Sequence, residues 1–554
     1  MARPAHHRRR PRRRTLPLRR PVRRPRAAQR RPPQGPRRHR RGGPGRRQGP
    51  APPRQPGRPR LRADRHRERH RDRRRRDRRR LRRRFRRGGC RRMSTDYVPA
   101  MTFHPQPQPG TPSPWAFPAP ERAALGNGIT VLHCHRPGQQ LVAVEVLLDA
   151  PLAAEPEGLD GIAAILARAL NEGTDTLTAE EFAGELERAG ATLDAHADHP
   201  CIRVSLEVPA SRLQRGLSLL ADALRAPALP EAEIERLVAN RLDEIVHEQA
   251  NPARRAAKAL YAELFDAADR LSRPRAGTAD TVKSIDRAAV KAFYDAHVHP
   301  ATSTVVVVGD LTGVDLPALL ESTLGTWSGP AAEPSRHAPV AGDDHGRVVI
   351  VDRPGSVQTQ LLLGRIGPDR HNPVWAAQTL GTYCLGGTLT SRLDRVLREE
   401  KGYTYGVRSF AQPLRSAADG SGRSLLAISG SVDTASTAPA LADTWTILRT
   451  LAAEGLTDAE RDEAVQFLVG VAPLKYETAG SVAGTLADQV EQYLPDDYQA
   501  EVYRQLAELP TVAATEAVVA AFPPDRLVTV LVGDAAAIAD DVRALGIGEV
   551  TVVS

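Results

Sequence analysis

VLHCHRPGQQLVAVEVLL, residues 131–148, returns in altered form as VVIVDRPGSVQTQLLLG, residues 348–364. Each copy is an apolar run, an Arg-Pro-Gly turn and a second apolar run. β-Branched residues fill the runs and the Pro-Gly pair interrupts them, so each copy reads as two strands of a hairpin. The turns at Arg136 and Arg353 lie 217 residues apart. A second marker follows in the same order. VVVVGD closes at Asp310 and TVLVGD at Asp534, 224 residues apart. Two markers repeated at nearly one spacing identify a duplicated domain of about 220 residues.

The elements between the markers alternate. In the first copy, residues 159–170 read as an Ala/Leu helix stopped by Gly173, and Thr178 with Glu181 forms a capping box for the next helix. Residues 192–197 and 202–208 read as a strand pair, and 211–224 and 231–249 as amphipathic helices. More helix runs to Leu264, then 287–296 is helical and 303–308 is a short buried strand. The expected fold class is α+β: two duplicated domains, each a mixed β-sheet flanked by helices, forming a clam-shell with a cleft between them. The expected domains are 123–327 and 346–554. A linker, SGPAAEPSRHAPVAGDD, joins them across 328–345.

The net charge of +14 conceals two unlike segments. Residues 1–92 hold 42 Arg, no Lys and 4 acidic residues, a net +38, which leaves −24 for residues 93–554. The leader has too few apolar residues to fold and is expected to be disordered. It reads as a nucleic-acid-binding tail, as a targeting segment, or as upstream DNA translated from too early a start. The last is preferred, because Met93 opens a chain of ordinary composition. Residues 93–122 are a Pro-rich arm. The acidic body argues against nucleic acid as a partner. No apolar run approaches about 18 residues, so no membrane partner is expected either. Cys90, Cys134, Cys201 and Cys384 are scattered without CxxC pairing and read as reduced thiols of a cytoplasmic protein.

Residues 386–407, GGTLTSRLDRVLREEKGYTYGV, carry candidate chemistry. Thr390 or Ser391 can cap a helix whose apolar face is Leu393, Val396 and Leu397, and Gly402 ends it. Arg398 falls in its last turn and Tyr405 on the following strand. A helix that turns straight into a strand can bring the two together as donors to a developing oxyanion. The plain alternative is a solvated arginine at a helix end and a half-buried tyrosine. His133 with His135, and His297 with His299, place paired imidazoles along the chain, but neither pair has a third ligand in view.

Together these motifs resemble the pitrilysin/insulinase family of inverted zinc peptidases, which includes the mitochondrial processing peptidase subunits, from about Glu121 to the C terminus. The family's first half carries G-x-A-H-x-x-E-H-x-x-x-x-G-T. Here Gly161, Ala163, Gly173 and Thr174 fit that frame, while Ala164, Ala167 and Arg168 stand where His, Glu and His would be. The family's third zinc ligand corresponds to Glu244. Paired imidazoles bind zinc and the glutamate between them activates water, so this chain is expected to hold no metal and to hydrolyse no peptide alone. Arg168 is expected to reach Glu244 in the metal's place. The stretch 386–407 resembles the family's second-half motif, GG-x-x-SRL-x-x-x-R-E-x-x-G-x-x-Y. There the Arg and Tyr bind substrate and stabilise the transition state, roles that fall here on Arg398 and Tyr405. The resemblance implies the non-zinc subunit of a peptide-cleaving heterodimer, whose homologous partner carries H-x-x-E-H and the zinc. The enclosed, acidic character suggests short or unfolded, basic peptides as substrate. A catalytically inactive scaffold and a self-sufficient peptidase with an atypical metal site are the alternatives.

Overall fold

A computed structural model of the chain describes residues 115–335, 339–342, 345–414 and 422–554. The Arg-rich leader and the arm as far as residue 114 lie outside the described residues. The rest contains two six-stranded mixed sheets flanked by helices. The first comprises β1 (Glu121–Ala124), β2 (Thr130–His135), β3 (Leu141–Leu148), β4 (Thr192–Ala197), β5 (Ile202–Pro209) and β6 (Thr304–Gly309) in the order β1-β2-β6-β3-β5-β4. The second comprises β7 (Arg347–Asp352), β8 (Gln358–Pro368), β9 (Thr404–Pro413), β10 (Arg423–Asp433), β11 (Val528–Gly533) and β12 (Glu549–Val553) in the order β12-β7-β11-β8-β10-β9. From the second strand onward the five positions correspond one for one. The outermost strand does not: β1 precedes β2 and runs antiparallel to it, whereas β12 comes from the chain end and runs parallel to β7.

The expected hairpins do not form. β6 lies between β2 and β3, parallel to one and antiparallel to the other, and β11 lies likewise between β7 and β8. An all-apolar strand such as Val305–Val308 is fully buried, so its N–H and C=O groups need neighbours on both sides. The repeated sequence markers are the two ends of one tie. Arg136 N–H donates to Gly309 O at 2.7 Å, and Gly138 N–H to Asp310 Oδ2 at 2.9 Å. Arg353 and Gly355 repeat both bonds to Gly533 and Asp534 at 2.8 Å.

Each sheet buries its second face under a helix of the other half. The helix Ala479–Glu491 lays Ala479, Val482, Ala483, Leu486 and Ala487 on Leu132, Ala143, Leu147, Val306 and Val308. The helix Pro252–Leu264 lays Ala256, Leu260 and Leu264 on Val349, Val351, Leu362, Val530 and Val532. The end of the arm joins the first of these layers. Trp115 stacks on Tyr476 at 5.6 Å and Phe117 meets the same ring edge-on at 5.0 Å. The described end of the arm is packed, and its last residues begin β1. Nor is the linker free: Ala341 bridges to Phe265, and Val340 N–H donates to Asp269. Among the described residues no single helix is long and apolar enough to cross a membrane.

Truncating Leu260 or Leu486, both fully buried, to alanine is expected to cost about 2–5 kcal/mol in urea unfolding. Because each side chain lies on the other half's sheet, both halves are expected to unfold in one transition. Two separate transitions in the wild type would show that the halves are independent.

Candidate functional site

The first-half region is built on the helix Ile162–Ala169. It starts later than residue 159 because Gly161 enters with φ +103, and a Cβ there would lie 2.9 Å from Ala276 O. Glu155, fully buried, accepts from Gly161 N–H at 3.0 Å and Ala163 N–H at 3.1 Å and is paired with Arg270. A carboxylate thus occupies the helix N terminus, where free N–H groups and the dipole favour it. Burial raises its pKa, and the Arg270 charge opposes that rise.

Ala164 is half-buried and Ala167 fully buried. Arg168 reaches the helix Glu231–Ala250 and forms the expected pair with Glu244, Nη1 to Oε1 and Nη2 to Oε2, both 2.9 Å. Arg241, 3% exposed, adds a bond to Glu244 Oε2 at 3.1 Å and grips Glu248 with two bonds of 2.9 Å. Burial alone would raise the Glu244 pKa, but the hydrogen bonds from Arg168 and Arg241 hold it below its ordinary value. Two alanines and an arginine offer a metal no ligand, and the one carboxylate present is already committed to two guanidiniums. Zinc therefore does not fit this set of residues. Among the described residues no group of three or more His, Cys, Asp or Glu is placed to hold a metal. His135 Nδ1 accepts from Leu311 N–H at 3.0 Å, and His299, buried, bonds Ala296 O at 3.0 Å.

The second-half region begins where the helix Trp375–Gly386 ends. Strand β9 passes so close that a Cβ on Gly386 would sit 2.5 Å from Ser409 N. The next helix opens at Arg392–Asp394 and continues as a π-turn over Arg395–Glu400, with Lys401 N–H bonding Val396 O. Leu393 and Leu397 are buried as expected. The expected side-chain cap is absent: Ser391 Oγ donates to Thr388 O and Thr390 Oγ1 to Glu463. The helix is held at two other points. Asp394, fully buried, accepts from Val407 N–H at 2.7 Å and from the Arg408 guanidinium. Arg392 forks onto Glu460 at 2.6 and 2.7 Å. Burial of Glu460 opposes ionisation, but Arg392 and Thr457 N–H outweigh it and hold the pKa at about 2. Asp394 and Glu460 were not singled out from sequence. The available signal was an acid adjoining Leu393 in a helix whose other buried positions are leucines.

Arg398 is two-thirds buried, and its one ion pair among the described residues is with the adjacent Glu399 at 3.1 Å. Tyr405 is 93% exposed. No hydrogen bond joins the two side chains, both of which are donors. Both flank the start of β9, the edge strand of its sheet. The β9–β10 register shifts between Gly430 and Val432, so Tyr405 and Gly406 form a bulge. Thr404 Oγ1 supports it, donating to Ser431 O at 2.7 Å and accepting from Gly406 N–H at 3.0 Å. A bulge on an edge strand re-aims a side chain, and here it turns the phenol outward.

Two family models match the chain in succession: "Insulinase (Peptidase family M16)" over residues 130–279 and "Peptidase M16 inactive domain" over 284–468. The chain belongs to the insulinase family. Its relatives include an uncharacterised zinc protease of Rickettsia bellii, 27% identical over 52% of this chain and 69% of the relative. Another is an uncharacterised zinc protease of Mycobacterium tuberculosis, 29% identical over 68% of this chain and 84% of the relative. The fold is similar to that of a peptidase M16 inactive domain from Pseudomonas fluorescens, with TM-score 0.67, 23% identity, and 75% and 98% of the two chains covered. It is also similar to a protease from Helicobacter pylori, with TM-score 0.70, 19% identity, and 75% and 100% covered.

Replacing Asp394 with alanine leaves a buried N–H and a guanidinium without their acceptor and is expected to cost about 1–3 kcal/mol in chemical denaturation. Glu460 has a folded pKa below its unfolded value, so its contribution is complete above about 4.5 and is lost as pH falls toward about 2. Wild type is expected to lose stability across that interval more steeply than Glu460→Gln. Parallel acid titrations of the two proteins would rule the linkage out.

Proposed function

We propose that this chain is the non-zinc subunit of a heterodimeric peptidase in the cytoplasm, and that it supplies Arg398 and Tyr405 to peptide substrate bound with a homologous H-x-x-E-H partner. The observation that carries the reading is the contrast between the two regions. In the first half, the positions that correspond to a zinc site are closed by the Arg168–Glu244 pair. In the second, Tyr405 has no hydrogen-bond partner among the described residues, and Arg398 is paired only with its neighbour Glu399. A fully charged fork and a phenol at one end of an edge strand suit a peptide carbonyl oxygen. The edge itself offers main-chain groups to an extended segment.

In this reading metal binding and water activation belong to the partner. Arg398 and Tyr405 donate hydrogen bonds to the carbonyl oxygen as it gains charge, and the bonds of Asp394 to Val407 and Arg408 and of Thr404 to Ser431 and Gly406 fix the backbone around them before substrate arrives. The family model over residues 284–468, described as an inactive domain, is consistent with the division of labour.

Arg398→Ala and Tyr405→Phe are each expected to lower kcat of the mixed complex by about 10²–10³ while leaving assembly intact, since loss of one oxyanion donor has that effect. The isolated chain is expected to carry no zinc by elemental analysis and to cleave nothing. Normal assembly with unchanged cleavage by both variants would favour the scaffold reading. Stoichiometric zinc with activity in the isolated chain would favour the self-sufficient peptidase.

A further inference from the structure

A polar pocket of about 170 Å³ opens at the seam between the two halves, away from Arg398 and Tyr405. The first half contributes Asp198 and Pro200, from the turn between β4 and β5. The second contributes Arg370, Leu414, Asp488 and Glu491. The charges on its walls are unevenly matched. Arg203 grips Asp488 at 2.7 Å and Glu491 at 2.6 Å, and Arg275 holds Asp198 at 3.0 Å. Three carboxylates therefore share two guanidiniums on that side. Arg370 stands opposite in this charge balance. Among the described residues its guanidinium makes no ion pair or hydrogen bond and its buried Nε has no partner, while the Trp375 ring lies 6.0 Å from it. Lys475 lies within reach of the same charges: burial lowers its pKa, the Arg370 charge lowers it further, and Asp488 opposes both.

A buried guanidinium N–H without an acceptor is costly, and the pocket has room for one. At about 30 Å³ per water, the space equals five or six waters, the scale of one or two small residues and not of a folded segment. A dianion such as phosphate would meet three carboxylates at short range. A carboxylate that carries its own cation would not. Pro200 and Leu414 offer apolar surface for a side chain between the two charges.

We propose that this seam pocket binds a small zwitterion of the amino-acid type, its carboxylate on Arg370 and its ammonium facing Asp198 and Asp488. The proposal is independent of the peptidase reading. Such a ligand touches both halves and stabilises their docking by binding only the folded chain. A free amino acid and a dipeptide share this chemistry, and the test separates them.

The full chain is titrated calorimetrically with L-leucine, the dipeptide Ala-Leu, leucinamide, N-acetyl-leucine and inorganic phosphate, with thermal unfolding in parallel. Leucine or Ala-Leu is expected to bind and to raise Tm, and whichever binds more tightly identifies the source. Leucinamide lacks the carboxylate and N-acetyl-leucine the ammonium, so each is expected to bind at least about tenfold more weakly, the value of one charge-assisted contact. Arg370→Gln is expected to weaken binding to the same degree, and Arg370→Lys to restore part of it. The comparison among ligands on wild type stands even if a variant misfolds. Absence of binding by both leucine and Ala-Leu, equal binding of leucinamide, or tighter binding of phosphate would each overturn the proposal.

Discussion

The fold depends on a reciprocal exchange of helices. Both sheets have inner strands that are apolar on both faces, as in LVAVEVLL of β3 and TVLVG of β11. A sheet of that kind must be covered twice. One cover comes from its own half, and the other is the helix Ala479–Glu491 or Pro252–Leu264 of the opposite half. Neither half can bury its own sheet alone. Small side chains are interspersed among the leucines and valines of the contact, Ala256 on one side and Ala479, Ala483 and Ala487 on the other, and let helix and sheet approach closely. Around that seam Arg203 pairs with Asp488 and Glu491 of the other half, which ties the halves in register.

The two candidate regions show opposite uses of arginine. At Glu244 the guanidiniums of Arg168 and Arg241 satisfy a carboxylate that would otherwise be partly desolvated and alone. The result is a closed ion-pair network with no valence left for a metal. At Arg398 the flanking residues do the structural work. Arg392 is spent on Glu460 and Arg408 on Asp394, which positions the π-turn against the edge strand. Arg398 itself is left with a single local partner.

Much of this could be read from the chain. The paired RPG and GD markers located the repeat, because each pair is a hydrogen-bonded tie and its residues are constrained together. The capping box at Thr178 and Glu181 formed as its spacing requires. Arg168 and Glu244 could be paired in advance from the family frame alone. Strand order could not. The hairpin expectation at Arg136 and Arg353 failed because local turn chemistry fixes a reversal of direction, not which strand lies alongside. The cap at Ser391 failed for a similar reason, since the hydroxyls of Thr390 and Ser391 found other acceptors once the chain had folded.

The sequence by itself determined the duplication, the α+β class, the absence of metal-ligand chemistry at Ala164, Ala167 and Arg168, and the candidacy of Arg398 and Tyr405. These rest on residue type and spacing, which are properties of the chain alone. Only the tertiary structure decided that β6 and β11 insert between their neighbours and that each half covers the other's sheet. It alone placed Tyr405 on a bulge facing solvent and left Arg370 unpaired at the seam. Those outcomes depend on which groups remain unsatisfied after distant segments meet, and no local pattern records that.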